Sequence, residues 1–240
     1  MPTPLPARSV ALSLLLGSHP ARMSPATLVR AGEHFDIPAA TMRVALTRAV
    51  AAGDLRRDGA DYALAERHAL RQQRQDEAVA ASGNGWDGSW EMAIVVVAGR
   101  SGKERAALRE RLTAARLAEL REGVWTRPAN LRRPTSYAGD PVLSAWNARP
   151  AEALAAQAEL AARLWQLDDW AHEGRRLMAE LQSTSEPAPR LAVAAHLVRH
   201  LTTDPLLPAE LLPPDWPGAA LRDAYAAYQS ELRDLTAAVA

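Results

Sequence analysis

The sequence predicts an α+β fold in three parts, and three observations carry that prediction. Residues 1–80 hold short helical patterns closed by one tight hairpin signal. Residues 86–170 switch to apolar, β-rich runs separated by helical ones. Residues 171–240 are helical, broken by proline-rich turns. At 240 residues the chain is long enough for one large or two to three small domains with a well-buried core. The expected domains are therefore 1–80, 86–170 and 171–240. The small, uncharged stretch Ala81-Ser82-Gly83-Asn84-Gly85 reads as the first linker and Ser183–Pro189 as a second break.

In the first part, Ala7 to Leu16 is apolar nearly all round, which predicts a buried helix. Ser24 followed by Pro25 is an N-cap with proline at the first helical position, opening a helix that runs to about Phe35. Asp36-Ile37-Pro38 is a short turn into a third helix, for which Gly53 is the natural stop. Leu55 to Leu64 then reads as strand, Asp58-Gly59 turn and strand. Helix, helix, tight turn, helix, hairpin is the order of a winged helix-turn-helix.

The third helix has two chemically distinct arcs. At 100° per residue, Met42, Ala45, Leu46, Ala49 and Val50 fall together and must face the core. The opposite arc carries Ala40, Arg43, Val44 and Thr47, with Arg48 towards one edge and Thr41 at the same exposed end. A recognition helix needs this arrangement: small residues allow deep entry into the major groove, Arg bonds guanine O6 and N7, and Val or Thr touches a thymine methyl. Arg56 and Arg57 on the hairpin are placed to meet flanking phosphates.

In the middle part, Trp90 to Val97 predicts a buried strand, Gly102 to Leu120 a charged amphipathic helix, and Gly123 to Pro128 a second strand ended by proline. A strand near Val142, a helix over Ala151–Leu164 and a short strand at Trp165-Gln166-Leu167 complete a ferredoxin-like order. In the last part, helices are expected over His172–Leu181 and Leu191–Leu201. A final helix carries Leu221, Tyr225, Tyr228, Leu232, Leu235 and Val239 at alternating spacings of three and four. That seam suits either a second subunit or the helix's own domain.

Composition bounds the function. Lysine plus arginine equals aspartate plus glutamate at 28 each, so bulk charge points to no nucleic-acid or membrane partner. The balance is local, however. Ten arginines face eight acids in residues 1–85, ten basic groups face seven acids in 86–148, and eight face thirteen in 149–240, so any basic surface lies in the first two thirds. Zero cysteines exclude disulfides, thiolate metal sites and a Cys nucleophile. No stretch approaches the roughly 18 apolar residues of a membrane span. The short run Val10–Leu16 before Ser18-His19-Pro20 makes a poor signal peptide, so a cytoplasmic protein is expected.

The order of elements and several strings together resemble the PaaX-type repressors of phenylacetic acid degradation. The strings are Ile37 to Gly53, Trp86-Asp87-Gly88-Ser89-Trp90, Gly123 to Pro128, Trp165-Gln166-Leu167, Asp204 to Pro208 and Leu211 to Gly218. They span nearly the whole chain in the right order. The resemblance implies a winged helix, a middle ferredoxin-like domain similar to a CRISPR-associated small nuclease, and a helical C-terminal domain. It also implies a dimeric repressor released by phenylacetyl-coenzyme A. Arg43 and Arg48 match the two arginines of the family's recognition-helix pattern. The chain is shorter than typical members and poor in Lys and Phe, departures that bear on the effector more than on the fold.

These readings set the expected sites. DNA is contacted by Ala40, Thr41, Arg43, Val44, Thr47, Arg48, Arg56 and Arg57, on a pseudo-palindromic operator. An acyl-coenzyme A effector needs cations for its phosphates and an apolar slot for its acyl group. Arg127, Arg132 and Arg133 near Trp125 are the expected cluster. No catalytic residue, metal site, bound cofactor or membrane contact is expected. His196 and His200 share a helix face without an evident third ligand beyond Asp204, and Asp87 and Glu91 do not make a convincing nuclease pair. Two other classes remain open: an acyl-coenzyme A-binding or metal-dependent enzyme with a vestigial winged helix, and a protein-interaction scaffold.

Overall fold

Ten apolar-rich residues, Ala7–Leu16, form α1, whose Val10, Ala11, Leu14 and Leu15 are all but inaccessible to solvent, as a helix apolar all round must be. The computed structural model that places them describes residues 3–80, 85–133 and 135–239. The expected linker at 81–85 lies almost wholly outside the described residues. The chain forms two compact units. One comprises Met1–Ala80, His172–Asp204 and Pro217–Ala240; the other comprises Ala81–Ala171 and Pro205–Trp216.

In the first unit, β1 (Arg22–Met23) leads into α2 (Pro25–His34), α3 (Ala39–Ala51), β2 (Leu55–Asp58) and β3 (Asp61–Leu64). Ser24 caps α2 by accepting from the Thr27 N–H at 3.0 Å, with Pro25 at the first helical position. Gly53 takes φ +70° just beyond α3, and Gly59 takes φ +61° in the hairpin turn. The sheet runs β1-β3-β2, antiparallel throughout. Helix, helix, turn, helix, hairpin thus folds as the winged helix-turn-helix its order predicts.

A fourth helix, α4 (Glu66–Ala80), follows the hairpin where the sequence suggested no element. Its buried residues are Gln75 and Ala78 alone, so it has no apolar stripe to announce it. It is held by α8 (Pro187–Thr202) and α9 (Gly218–Ala238). Arg222 donates to the Ala78 carbonyl at 2.8 Å and pairs with the buried carboxylate of Asp204. The seam of α9 packs inside this unit through Leu221, Tyr225 and Tyr228, while Leu232, Leu235 and Val239 are half-buried. Gly174 of α7 (Leu167–Ser183) lets α9 approach closely: a Cβ there would stand 2.7 Å from Leu221 Cδ1.

The second unit is built on β4 (Trp90–Val95), α5 (Gly102–Ala114), β5 (Ala118–Arg121), β6 (Val124–Pro128), β7 (Leu143–Ala148) and α6 (Leu154–Trp165). The sheet order β5-β6-β4-β7, all antiparallel, is the ferredoxin-like one. Two local expectations are corrected. The helix from Gly102 ends at Ala114 rather than Leu120, because Arg116 turns to φ +61° and Ala118–Arg121 pair with β6. Trp165-Gln166-Leu167 is not a strand: Gln166, at φ +47°, separates the end of α6 from the start of α7. The strand expected near Val142 is β7, and the helix expected over 151–164 follows it as α6; the described residues between β6 and β7 hold turns.

Alternate residues of β4 serve two cores. Ala93 packs with Leu108 and Leu112 of α5, Trp125 and Tyr137. Trp90 packs with Ala161, Leu167, Leu207 and Leu211, with Trp86 and Trp165 at its border. A strand buried on both sides accounts for the near-continuous apolar run in the sequence.

Candidate nucleic-acid interface

Helix α3 presents the two faces its sequence demands. Met42, Leu46 and Ala49 are buried, while Ala40, Thr41, Arg43, Val44, Thr47 and Arg48 are exposed, Val44 at 50%. Grooves flank the exposed face. Arg43 and Thr47 border one of them, with Arg30 of α2 and with Arg57 and Tyr62 of the hairpin. Ala40, Thr41, Val44 and Arg48 border the other, with Arg8 at the start of α1. The structure therefore brings the expected residues together except Arg56, which borders neither groove, and adds Arg8 and Arg30, which linear spacing did not single out. Only the packing of α1 and α2 on α3 places those two side chains there.

The cations differ in how they are held. The Arg57 guanidinium lies 3.9 Å from the centroid of the Tyr62 ring, a contact that orients it without neutralising it. Arg56 stands 3.5 Å from Asp58, and Arg22 stands 3.8 Å from Asp58 and 3.9 Å from Asp61, so the hairpin tip is charge-balanced. Among the described residues, Arg43 and Arg48 take part in no ion pair. The Thr47 hydroxyl donates to the Arg43 carbonyl at 3.1 Å.

Asp54, one residue past Gly53, clamps the end of this helix. Its carboxylate is buried and receives Arg8 of α1, Arg67 of α4 and His68 of α4, the last at 2.9 Å. Its backbone N–H donates to the Ala49 carbonyl and its carbonyl accepts from the Ala65 N–H. One hub thus ties α1, α3 and α4. Burial, followed by the charges of Arg67, Arg71 and Arg8, pushes His68 below its ordinary value of 6.5. The unfolded chain takes up this proton near 6.5, whereas the folded one takes it up only at lower pH. The associated stability is complete above 6.5 and is lost as the pH falls through the folded value. Urea midpoints measured by far-UV circular dichroism between pH 7.5 and 5 should show that decline, and His68→Gln should remove it. An unchanged pH slope in the variant would discount His68 as its source.

The expected effector cluster does not assemble. Trp125 floors a cleft at the β5–β6 hairpin end of the sheet, with Arg100, Arg105, Arg109 and Arg121 around it. Arg127 lies at the other end, in register with Glu91, and is fully buried. It donates to the Pro128 carbonyl at 3.0 Å, to Asn130 Oδ1 at 2.9 Å and to the Leu206 carbonyl at 3.3 Å. Burial and the nearby charge of Arg133 push its guanidinium down to about 9. Glu91 accepts from the Tyr137 hydroxyl and from Arg133 at 3.4 Å. Burial, with the adjacent Glu91, holds the Tyr137 hydroxyl far above its ordinary range. Arg132 is exposed. Arg127 and Arg133 are therefore internal ties, spoken for by the protein itself, while Trp125 belongs to a different set of arginines.

Among the described residues, no group of three His, Asp or Glu side chains is placed to hold a metal ion, and no helix is long and apolar enough to cross a membrane.

Three family models match the chain in order: "PaaX-like protein" over residues 6–68, "PaaX protein central Cas2-like domain" over 83–138, and "PaaX-like protein C-terminal domain" over 156–240. Among solved structures, "Uncharacterized protein Rv0674 from Mycobacterium tuberculosis" is 44% identical, with a TM-score of 0.84 over 97% of this chain and 98% of that one. No curated protein matches.

Proposed function

We propose that this chain, which belongs to the PaaX-like family of transcriptional regulators, is a homodimeric repressor that reads an imperfectly palindromic operator through α3 and is released by an acyl-coenzyme A. The observation that carries the reading is the pair of un-neutralised arginines on the exposed face of α3, with Arg56 and Arg57 on the adjoining wing. Two copies of α3 enter successive major grooves about 34 Å apart. Arg43 bonds guanine O6 and N7. Thr47, its hydroxyl occupied by the Arg43 carbonyl, contributes its methyl against thymine. Ala40, Thr41 and Val44 give close approach, and Arg48, Arg56 and Arg57 hold the phosphates. The effector acts by binding better to a dimer whose recognition helices are wrongly spaced. The chain's role is binding, with no turnover required of it.

Fluorescence anisotropy on the DNA upstream of its own gene, with random DNA as reference and at two salt concentrations, tests the reading. Specific binding at least about a thousandfold tighter than random supports it. Weakening of that binding by phenylacetyl-coenzyme A supports the effector class, and indifference to the thioester discards the effector alone. Arg43→Ala should cost about 1–3 kcal/mol on the operator and far less on random DNA. Equal loss on both would remove Arg43 from base reading.

A further inference from the structure

One carboxylate stands among the cations of the α3 face. The groove between α2, α3 and the hairpin is bordered by Arg30, Arg43 and Arg57, and also by Glu33. Packing places Glu33 there. Gly32 of α2 lies so close to α3 that a Cβ on it would stand 2.6 Å from Met42 Cε. The two helices meet at this pair, and the residues one step further along each, Glu33 and Arg43, are both exposed and border the same groove. The neighbouring acids are occupied. Asp54 receives Arg8, Arg67 and His68, and Asp58 and Asp61 lie beside Arg22 and Arg56. Glu33, among the described residues, is in no ion pair. Asp36, in the turn that follows, borders neither groove.

A bare carboxylate on a face that docks on phosphates weakens every complex through like-charge repulsion. A face built for affinity alone would not carry one. On DNA, however, a carboxylate does what the neighbouring arginines cannot: it accepts from the N4 amine of cytosine in the major groove. Guanine and thymine present acceptors there, and adenine sets its amine beside the N7 acceptor. We infer that Glu33 is a specificity-determining residue, which accepts from a cytosine amine in the operator and repels DNA that offers none. Attraction on the right sequence and repulsion on the rest both widen the ratio between operator and random DNA. Arg43 and Glu33 then read with opposite polarity, guanine through donors and cytosine through an acceptor. The inference rests on the function proposed above, and the experiment is chosen to separate the two.

Anisotropy titrations of the full chain test it, with E33A and E33Q beside the wild type. E210Q, which removes one exposed negative charge from the second unit, is the control. The duplexes are the DNA upstream of its own gene, a set of single-base-pair variants of that DNA, and random DNA. E33A should bind random DNA several-fold tighter than the wild type at low salt, a gain that shrinks as salt screens the lost repulsion. Its ratio of operator to random affinity should fall about tenfold. The loss should be confined to one C·G pair in each half-site, whose replacement no longer matters to E33A. Because glutamine pairs with adenine N6 and N7, E33Q should move the preference at that pair from cytosine to adenine. An equal loss on operator and random DNA in E33A would make Glu33 a prop for α2 and overturn the proposal. The same tightening in E210Q would assign the effect to bulk charge and also overturn it. A wild type that favours its operator, with the base preferences intact in E33A and E33Q, sinks the role of Glu33 and leaves the repressor standing. A wild type that favours no sequence sinks the repressor itself, and the cytosine contact with it.

Discussion

Glu91→Gln should lower the stability of the second unit by about 3–5 kcal/mol, the range for removing one partner of a buried charge cluster. Glu91 is 6% exposed and stands opposite Arg127, which is 0% exposed, on the central strand pair. It is the carboxylate that accepts from both Arg133 and Tyr137. Glutamine preserves the volume and an acceptor for Tyr137 but removes the charge, leaving two guanidiniums inside with nothing to balance them. The cluster has no acceptor in reserve, because Arg127 Nη1 and Arg133 Nε are buried and make no hydrogen bond. A convenient probe exists: all seven tryptophans, Trp86, Trp90, Trp125, Trp146, Trp165, Trp170 and Trp216, fall in this unit. Urea unfolding followed by tryptophan fluorescence should therefore show an earlier midpoint in the variant at an unchanged slope. A midpoint equal to that of the wild type would mean that Arg127 is stabilised by its neutral acceptors alone, the Pro128 and Leu206 carbonyls and Asn130 Oδ1.

What was legible in the sequence was local. Ser24-Pro25 caps α2, Gly53 and Asp58-Gly59 mark positions of positive φ or tight turning, and the angular sorting of α3 separates its core arc from its exposed arc. Each signal is complete within a few residues, so no distant contact can reverse it. The misreadings share the opposite property. Ala118-Glu119-Leu120-Arg121 continues a charged helical pattern, and only pairing with β6 makes it a strand. Helix α4 lacks an apolar stripe and is stabilised by helices more than a hundred residues away. Pro205–Trp216 belongs to the second unit because Leu207 and Leu211 pack on Trp90 and Ala161, a contact that nothing in its own proline-rich string announces. The effector residues failed for a related reason. Nearness in sequence grouped Arg127, Arg132 and Arg133 with Trp125, but two residues along a strand are nearly 7 Å. That step carries the chain from the hairpin end of the sheet to its buried far end. The arginines that do surround Trp125 come from α5, the loop before it and β5, three segments that only the fold makes neighbours.

The two faces of α3 should separate in experiment as they do in space. Leu46→Ala is expected to destabilise the first unit by about 2–5 kcal/mol, the range for truncating a fully buried leucine. Leu46 is 1% exposed, and Met42 and Ala49, the neighbours on its own face, are inaccessible to solvent, so the cavity has little exposed structure to collapse into it. Val44→Ala removes two methyl groups from a residue that is 50% exposed, so its stability should stay within about 0.5 kcal/mol of the wild type. On DNA the order reverses. Val44 lies on the face that Arg43 and Thr47 share, and losing its contact with the groove should weaken specific binding several-fold. Leu46→Ala, measured below its unfolding transition, should bind the operator with nearly native affinity. Far-UV circular dichroism suits the stability measurement, since α1 to α4, α8 and α9 all belong to the first unit, which holds no tryptophan. Anisotropy on the operator and on random DNA supplies the other axis. If Val44→Ala binds normally while folded Leu46→Ala does not, the exposed arc is not the reading face, and the base contacts must be sought in the grooves lined by Arg8 and Arg30.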